Sequence, residues 1–239
     1  RAAKPDCWLF GEVVEGADYQ RGFAPNLDGN LDFLLCWGIR RAFGSGESSV
    51  AELAGLLDAH DAYFPTGFTR PSFLDNHDME RFLYHAGGDV RALKAAALLM
   101  YALPGAPVVY YGTEVGLSQR SPGGFEPSRE PMPWSARQDR DLLSYFQALG
   151  QARREHRWHA ATKTLASVDG DRGTLAYILD GEAGATLVAV NASARPRRIA
   201  VDASCVSRDA VVRLGEATLR RDSKMLSVGL GPRGSALIG

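Results

Sequence analysis

Cysteine is scarce in this chain of 239 residues: Cys7, Cys36 and Cys205 are widely separated and odd in number. They form no CxxC pair and no zinc-ligand spacing, which argues against a disulfide framework or a cysteine-held metal. Unpaired thiols favour a reducing compartment, and with it the cytoplasm. Cys7 and Cys36 sit in apolar company and are expected to be buried. Long hydrophobic runs are missing too. The longest, Ala95 to Leu103, is too short to cross a bilayer, and no secretory signal is visible. Charge of one sign is not in excess: 27 basic and 28 acidic residues leave a net charge of -1. That composition gives no footprint for nucleic acid or a membrane surface. The basic run Arg195-Pro196-Arg197-Arg198 is short and reads as a solvated turn. Phosphate fingerprints are absent, since Gly44 and Gly46 lack the later glycine and lysine of a phosphate loop. No HExxH or other histidine-rich ligand set occurs, so no metal site is assigned.

With 45% hydrophobic and 23% charged residues, the chain has the make-up of a globular protein with a sizeable core. Its densest polar cluster is Phe73-Leu74-Asp75-Asn76-His77-Asp78, with Arg81 one turn later. An apolar pair running into two acids, an amide and an imidazole fits a buried strand that delivers polar groups to one spot, as at the C-terminal mouth of a parallel barrel. A second isolated acid, Glu12, stands in the apolar run Trp8-Leu9-Phe10-Gly11-Glu12-Val13-Val14. Taken singly, an Asp or Glu after a strand is a turn former or a helix cap. Two carboxylates, each at a strand end, are what a glycosidase requires.

Along the chain, Cys7 to Val14 reads as a strand buried on both faces. Residues 15–29 read as a loop in which Tyr19, Gln20 and Asp28 could line a cleft. Ordinary loop polarity is the plainer account of Gln20. Leu31 to Leu35 reads as the next strand, passing into a helix through Trp37, Ile39, Arg40 and Phe43 that Gly44-Ser45-Gly46 ends. Val50, Leu53, Leu56 and Leu57 recur at helical spacing to about Asp58, with His60 expected at the surface of the connector beyond. Arg70 to Asp78 forms the third strand, Asp89 caps a helix over Val90 to Ala102, and Val108 to Tyr111 forms the fourth strand. A long Gly/Pro-rich loop over 116–136 follows, and Asp139 opens a helix carrying Leu142, Phe146 and Leu149 on one face. Strand and helix alternate four times, which predicts a parallel sheet with crossover helices. After residue 160 the texture changes to short strands, such as Thr174–Leu179 and Thr186–Val190, separated by turns such as Asp180-Gly181. This predicts an antiparallel β domain.

Four ordered signatures carry a resemblance: Gly11-Glu12-Val13, the run Phe73 to Asp78, Gly105-Ala106-Pro107-Val108-Val109-Tyr110-Tyr111-Gly112-Thr113-Glu114-Val115-Gly116, and Arg129 with Pro131-Met132-Pro133-Trp134. In order and spacing they resemble the α-amylase family of glycoside hydrolases, over residues 5 to about 158. The resemblance implies an α/β architecture: the C-terminal half, strands five to eight, of a (β/α)₈ TIM barrel over 1–158, then an antiparallel β-sandwich domain over 159–239.

It also implies site roles. Glu12 matches the family's general acid/base and Asp78 its third carboxylate, which supports the transition state. His77 resembles the family's sugar-binding histidine, with Asn76 beside it, and Arg129 a sugar-binding arginine. The family's Asp-Pro-x-x-Arg loop is altered here to Phe125-Glu126-Pro127-Ser128-Arg129: the acid is Glu126, one residue closer to the arginine. The family's nucleophile, an Asp within G-x-R-x-D on strand four, has no counterpart in these 239 residues. Retaining chemistry needs it about 5–5.5 Å from the acid/base.

The expectation is therefore a piece of an α-glucan-acting hydrolase or transglycosylase, with maltooligosaccharides as substrates and no turnover by this chain alone. It requires no cofactor of its own, and calcium is left open. Its expected partners are the oligosaccharide and either the N-terminal half of the barrel or a second copy. The competing reading is a non-catalytic carbohydrate-binding or assembly module.

Overall fold

The computed structural model describes residues 1–134 and 137–239. Residues 135 and 136, at the end of the expected long loop, lie outside the described residues. The first region holds four extended segments running the same way in chain order. The short strands β1 (Phe10–Gly11) and β2 (Gly29–Asn30) pair in parallel. Single parallel bridges continue the set from Gly29 to Thr69 and from Ser72 to Pro107. The hydrogen bonds form a slanted parallel ladder: Leu31 N–H donates to the Gly11 carbonyl at 2.9 Å, Thr69 N–H to Asp28 at 2.7 Å, and Val108 N–H to Ser72 at 2.7 Å. Gly29 is required where it stands, because a Cβ there would meet the Thr69 carbonyl oxygen at 2.2 Å.

The longer helices begin at side-chain caps, each of which accepts from orphan N–H groups of the first turn. A short helix α1 (Ala17–Arg21) lies within the first connection, where a loop was expected, and buries Gln20. The expected strand over Leu31 to Leu35 is overturned. Asp32 accepts from Leu35 N–H and caps α2 (Phe33–Ile39), so the extended segment ends before it. That helix loosens into a π-helical turn over Arg40–Ser45, which Gly46 ends in the left-handed region.

Ser49 caps α3 (Val50–Tyr63), which runs past the expected end and carries His60 inside it, 4% exposed and not at the surface. After α4 (Phe82–His85) comes α5 (Val90–Tyr101), capped by Asp89 and nearly all buried. Asp139 caps α6 (Arg140–Glu155). The Arg153 guanidinium of α6 donates to the carbonyls of Tyr101, Leu103, Pro104 and Gly105, satisfying the end of α5 and the turn after it.

From Thr162 the chain is antiparallel, with strands β3 (Thr162–Asp169), β4 (Thr174–Gly181), β5 (Gly184–Asn191), β6 (Arg197–Asp202), β7 (Val212–Gly215), β8 (Ala217–Arg221), β9 (Met225–Leu230) and β10 (Ser235–Ile238). They form a five-stranded sheet in the order β3-β4-β5-β10-β7 and a three-stranded sheet in the order β6-β9-β8. The expected hairpin is present, with Gly181 opposite Gly184.

The central strands β4 and β5 are buried on both faces. One set of side chains, including Leu175, Tyr177, Val188 and Val190, joins the core of α3, α5 and α6 around Trp158. The alternate set, including Ala176, Leu187 and Ala189, packs on Ile199, Val201 and Val228 of the smaller sheet. All three cysteines are free. Cys36 is buried as expected, but Cys7 is only half-buried, because the first extended segment is not covered on both faces. Among the described residues, no helix is long and apolar enough to cross a membrane.

Candidate active site

The third extended segment ends in the polar cluster. Parallel segments share one direction, so residues beyond their last ladder positions gather at one end of the sheet. Asn76 Oδ1 accepts from Asp78 N–H at 2.9 Å, turning the chain so that the His77 and Asp78 side chains face outward. Arg129 arrives from the later loop and makes two charge-assisted contacts. Its Nη2 donates to Asp78 Oδ1 at 2.9 Å and its Nε to the His77 carbonyl at 3.0 Å. His77 Nε2 stands 3.4 Å from the same Asp78 oxygen. The structure thus brings together four of the five residues the sequence singled out: Asn76, His77, Asp78 and Arg129. Glu12 follows β1 at the same end of the parallel set. It is exposed and makes no side-chain hydrogen bond among the described residues.

Beneath this cluster lies a buried polar network whose extent the sequence did not reveal. Arg81, fully buried, donates from Nε to the Ser128 carbonyl at 2.8 Å and from Nη1 to the Tyr111 carbonyl at 2.5 Å. Its guanidinium lies 3.9 Å from the Tyr110 ring centroid. Arg81 N–H donates to Gln119, whose amide reaches the carbonyls of Ser121 and Gly123. Asp75 accepts from Phe82 N–H and from the Thr113 hydroxyl, each at 2.8 Å. Burial raises the Asp75 pKa, against the downward pull of those two hydrogen bonds and of the Arg81 and Arg40 guanidiniums. Arg40 closes the set from the π-turn by donating to the Leu74 carbonyl at 2.9 Å.

The network ties the segment that carries Asp78 to the loop that carries Arg129. The Ser128 hydroxyl adds a bond to the His77 carbonyl at 3.2 Å. Gly124 admits the loop, since a Cβ there would meet the Asp78 carbonyl oxygen at 2.5 Å. The sequence signal available was Arg81 itself, a charged residue one turn after the acids in an otherwise apolar stretch. Thr113, Gln119 and Ser128 carried none. Among the described residues, no group of three or more His, Cys, Asp or Glu side chains is placed to hold a metal ion.

The family model for the α-amylase catalytic domain matches residues 1–162, and the chain belongs to the α-amylase family. Among curated relatives, alpha-amylase 2 of Dictyoglomus thermophilum is 33% identical over 159 residues, covering 64% of this chain and 28% of that protein. A cyclomaltodextrinase of a Bacillus species is 28% identical over 200 residues, covering 80% of this chain and 34% of that one. The chain thus spans about a third of the length of these relatives.

Among solved structures, a debranching enzyme from Nostoc punctiforme superposes with a TM-score of 0.84 at 23% identity, over 100% of this chain and 53% of that one. An Anoxybacillus α-amylase gives a TM-score of 0.86 at 22% identity, over 99% and 53%. At these identities the likeness speaks for the fold, and it runs through the antiparallel β region as well.

Proposed function

We propose that this chain supplies strands five to eight of a (β/α)₈ barrel, over residues 1–158, and the β-sandwich that follows, over 159–239, of a retaining enzyme acting on α-glucans. Glu12 is its general acid/base and Asp78 the carboxylate that holds sugar hydroxyls as the ring distorts. His77, Asn76 and Arg129 complete the sugar contacts. The observation that carries this reading is the Asp78–Arg129–His77 cluster at the C-terminal end of four parallel segments in chain order. Arg129 neutralises Asp78 and fixes its rotamer, so a hydroxyl that reaches the carboxylate meets an oriented acceptor. Glu12 protonates the leaving oxygen. The ionised nucleophile on the opposite face of the sugar is supplied by a segment outside these residues.

The partners in this reading are a maltooligosaccharide and the other half of the barrel, with a second copy of this chain as the alternative cover. Support comes from the open apolar side of the parallel segments, where Trp8 and Phe10 stack at 4.7 Å between ring centroids and stand 48% and 47% exposed. The test is an assay of this polypeptide on maltooligosaccharides, alone and mixed with the preceding part of the longer protein. Turnover is expected only in the mixture, with Glu12→Gln abolishing it. Sustained hydrolysis by the chain alone overturns the assignment.

A further inference from the structure

The loop that brings Arg129 to Asp78 also carries Phe125, an aromatic residue 62% exposed. Two features set it apart from the exposed aromatics of the first extended segment. It lies beyond the ends of the parallel segments, four residues before Arg129, whereas Trp8 and Phe10 lie beside or within a strand. Joining segment to segment therefore makes no use of it. Its backbone is also strained. With φ 48° and ψ -119°, Phe125 occupies a corner that glycine enters readily and a residue with a Cβ rarely does. A bulky residue held there lowers stability, and a ring left in solvent recovers little of that loss by burial.

The surroundings fix Phe125 from both sides. Before it, Gly123 N–H donates to Glu80 Oε1 at 2.8 Å, and the Gly123 carbonyl accepts from the Gln119 amide at 2.8 Å. Gly124 lies against the Asp78 carbonyl. After it, Ser128 N–H donates to the Phe125 carbonyl at 3.1 Å. The Ser128 hydroxyl stands between that carbonyl and the carbonyl of His77, at 2.8 and 3.2 Å. The Arg129 guanidinium, which holds Asp78 Oδ1 at 2.9 Å, lies 5.6 Å from the Phe125 ring centroid. Ring and carboxylate thus belong to one pre-ordered unit, a guanidinium apart, and a ligand that meets both has little to order.

An open ring face beside an oriented carboxylate suits a ligand with C–H groups on its faces and hydroxyls on its rim. At a guanidinium's separation, ring and carboxylate address neighbouring units of one chain. We propose that Phe125 is a specificity-determining residue. Its ring is the platform for the glucosyl unit next to the one that Asp78 holds, and it favours chains of sugar over single glucose. The substrate class rests on the α-glucan reading above, whereas the platform itself rests on Phe125.

The experiment is a titration of this chain with glucose and with maltotriose, followed through the ring resonances of His77, in wild type, Phe125→Ala and Phe125→Tyr. Phe125→Ala should weaken maltotriose binding about tenfold, as expected for losing an aromatic anchor, and leave glucose binding unchanged. Phe125→Tyr keeps the ring and should bind as wild type does. The thermal midpoint should not fall in Phe125→Gly, because glycine accepts this backbone conformation. A fall there means that the ring holds the fold, and overturns the proposal. Equal weakening of glucose and maltotriose in Phe125→Ala overturns the neighbouring-unit role. Unchanged maltotriose binding in that variant, with His77 still responding, overturns the platform and leaves the Asp78 reading standing. A wild-type His77 that answers neither sugar overturns the α-glucan reading together with this one.

Discussion

The five-stranded sheet and the four parallel segments are built from similar text, short apolar runs rich in Val, Leu and aromatics, yet they end in opposite states. In the sheet, β4 and β5 are covered on both faces, by helices on one side and by the smaller sheet on the other. In the parallel set, Trp8, Leu9, Phe10, Val108 and Tyr111 remain exposed. An apolar run therefore encodes readiness to be buried. The elements packed around it decide whether it is.

Truncations should separate the two regions first. Leu187→Ala, between the two sheets, should cost about 2–5 kcal/mol through lost transfer energy and a residual cavity. Leu9→Ala, at an exposed position of the first segment, should cost under about 1 kcal/mol. Urea unfolding of both variants checks this, and equal costs would mean that the open side is covered in solution. Next in size is Arg81→Met, which leaves the Ser128 and Tyr111 carbonyls unpaired. A loss of about 3 kcal/mol is expected, since each stranded polar group costs ~1–3 kcal/mol. If the network serves the site, the same variant should also free the Arg129 loop, seen as faster amide exchange over residues 119–130.

A pH series sharpens the comparison further, because the buried acid lies in the parallel region. The folded pKa of Asp75 is raised above its ordinary 3.8 by burial. The folded state therefore binds more protons than the unfolded state between 3.8 and the raised value. Stability from this group is complete below 3.8 and is lost as pH rises through the folded pKa. Wild type should lose stability relative to Asp75→Asn across that window, and a flat difference between the two would contradict the assignment. A modest effect is expected at a cap: Asp139→Ala should cost about 1 kcal/mol, read from the thermal midpoint.

Much of this was legible because it is local. Ser49, Asp89 and Asp139 announce helix starts wherever they fall, since a short oxygen-bearing side chain reaches its own first turn. The hairpin of β4 and β5 was written in two short apolar runs on either side of the turn at Asp180-Gly181. The run from Phe73 to Asp78 marked one end of the sheet before any contact was known. Asp32 misled, because an acid inside an apolar run fits a strand or a cap equally well until the packing selects one. His60 misled in the same way, since nothing beside it in the chain says that α3 turns it inward.

By itself, the sequence determined the order of elements, most of their caps, the family signatures and the cluster around Asp78. All of these depend on neighbours within a few residues or on a motif kept whole. Only the tertiary structure decided that Arg81 links Ser128 to Tyr111, that Arg153 closes the end of α5, and that His60 is buried beside Asp32. Those contacts join residues about thirty to fifty positions apart. Their partners are chosen by geometry in the folded core, where an unpaired polar group is most costly, and no local pattern in the chain records that choice.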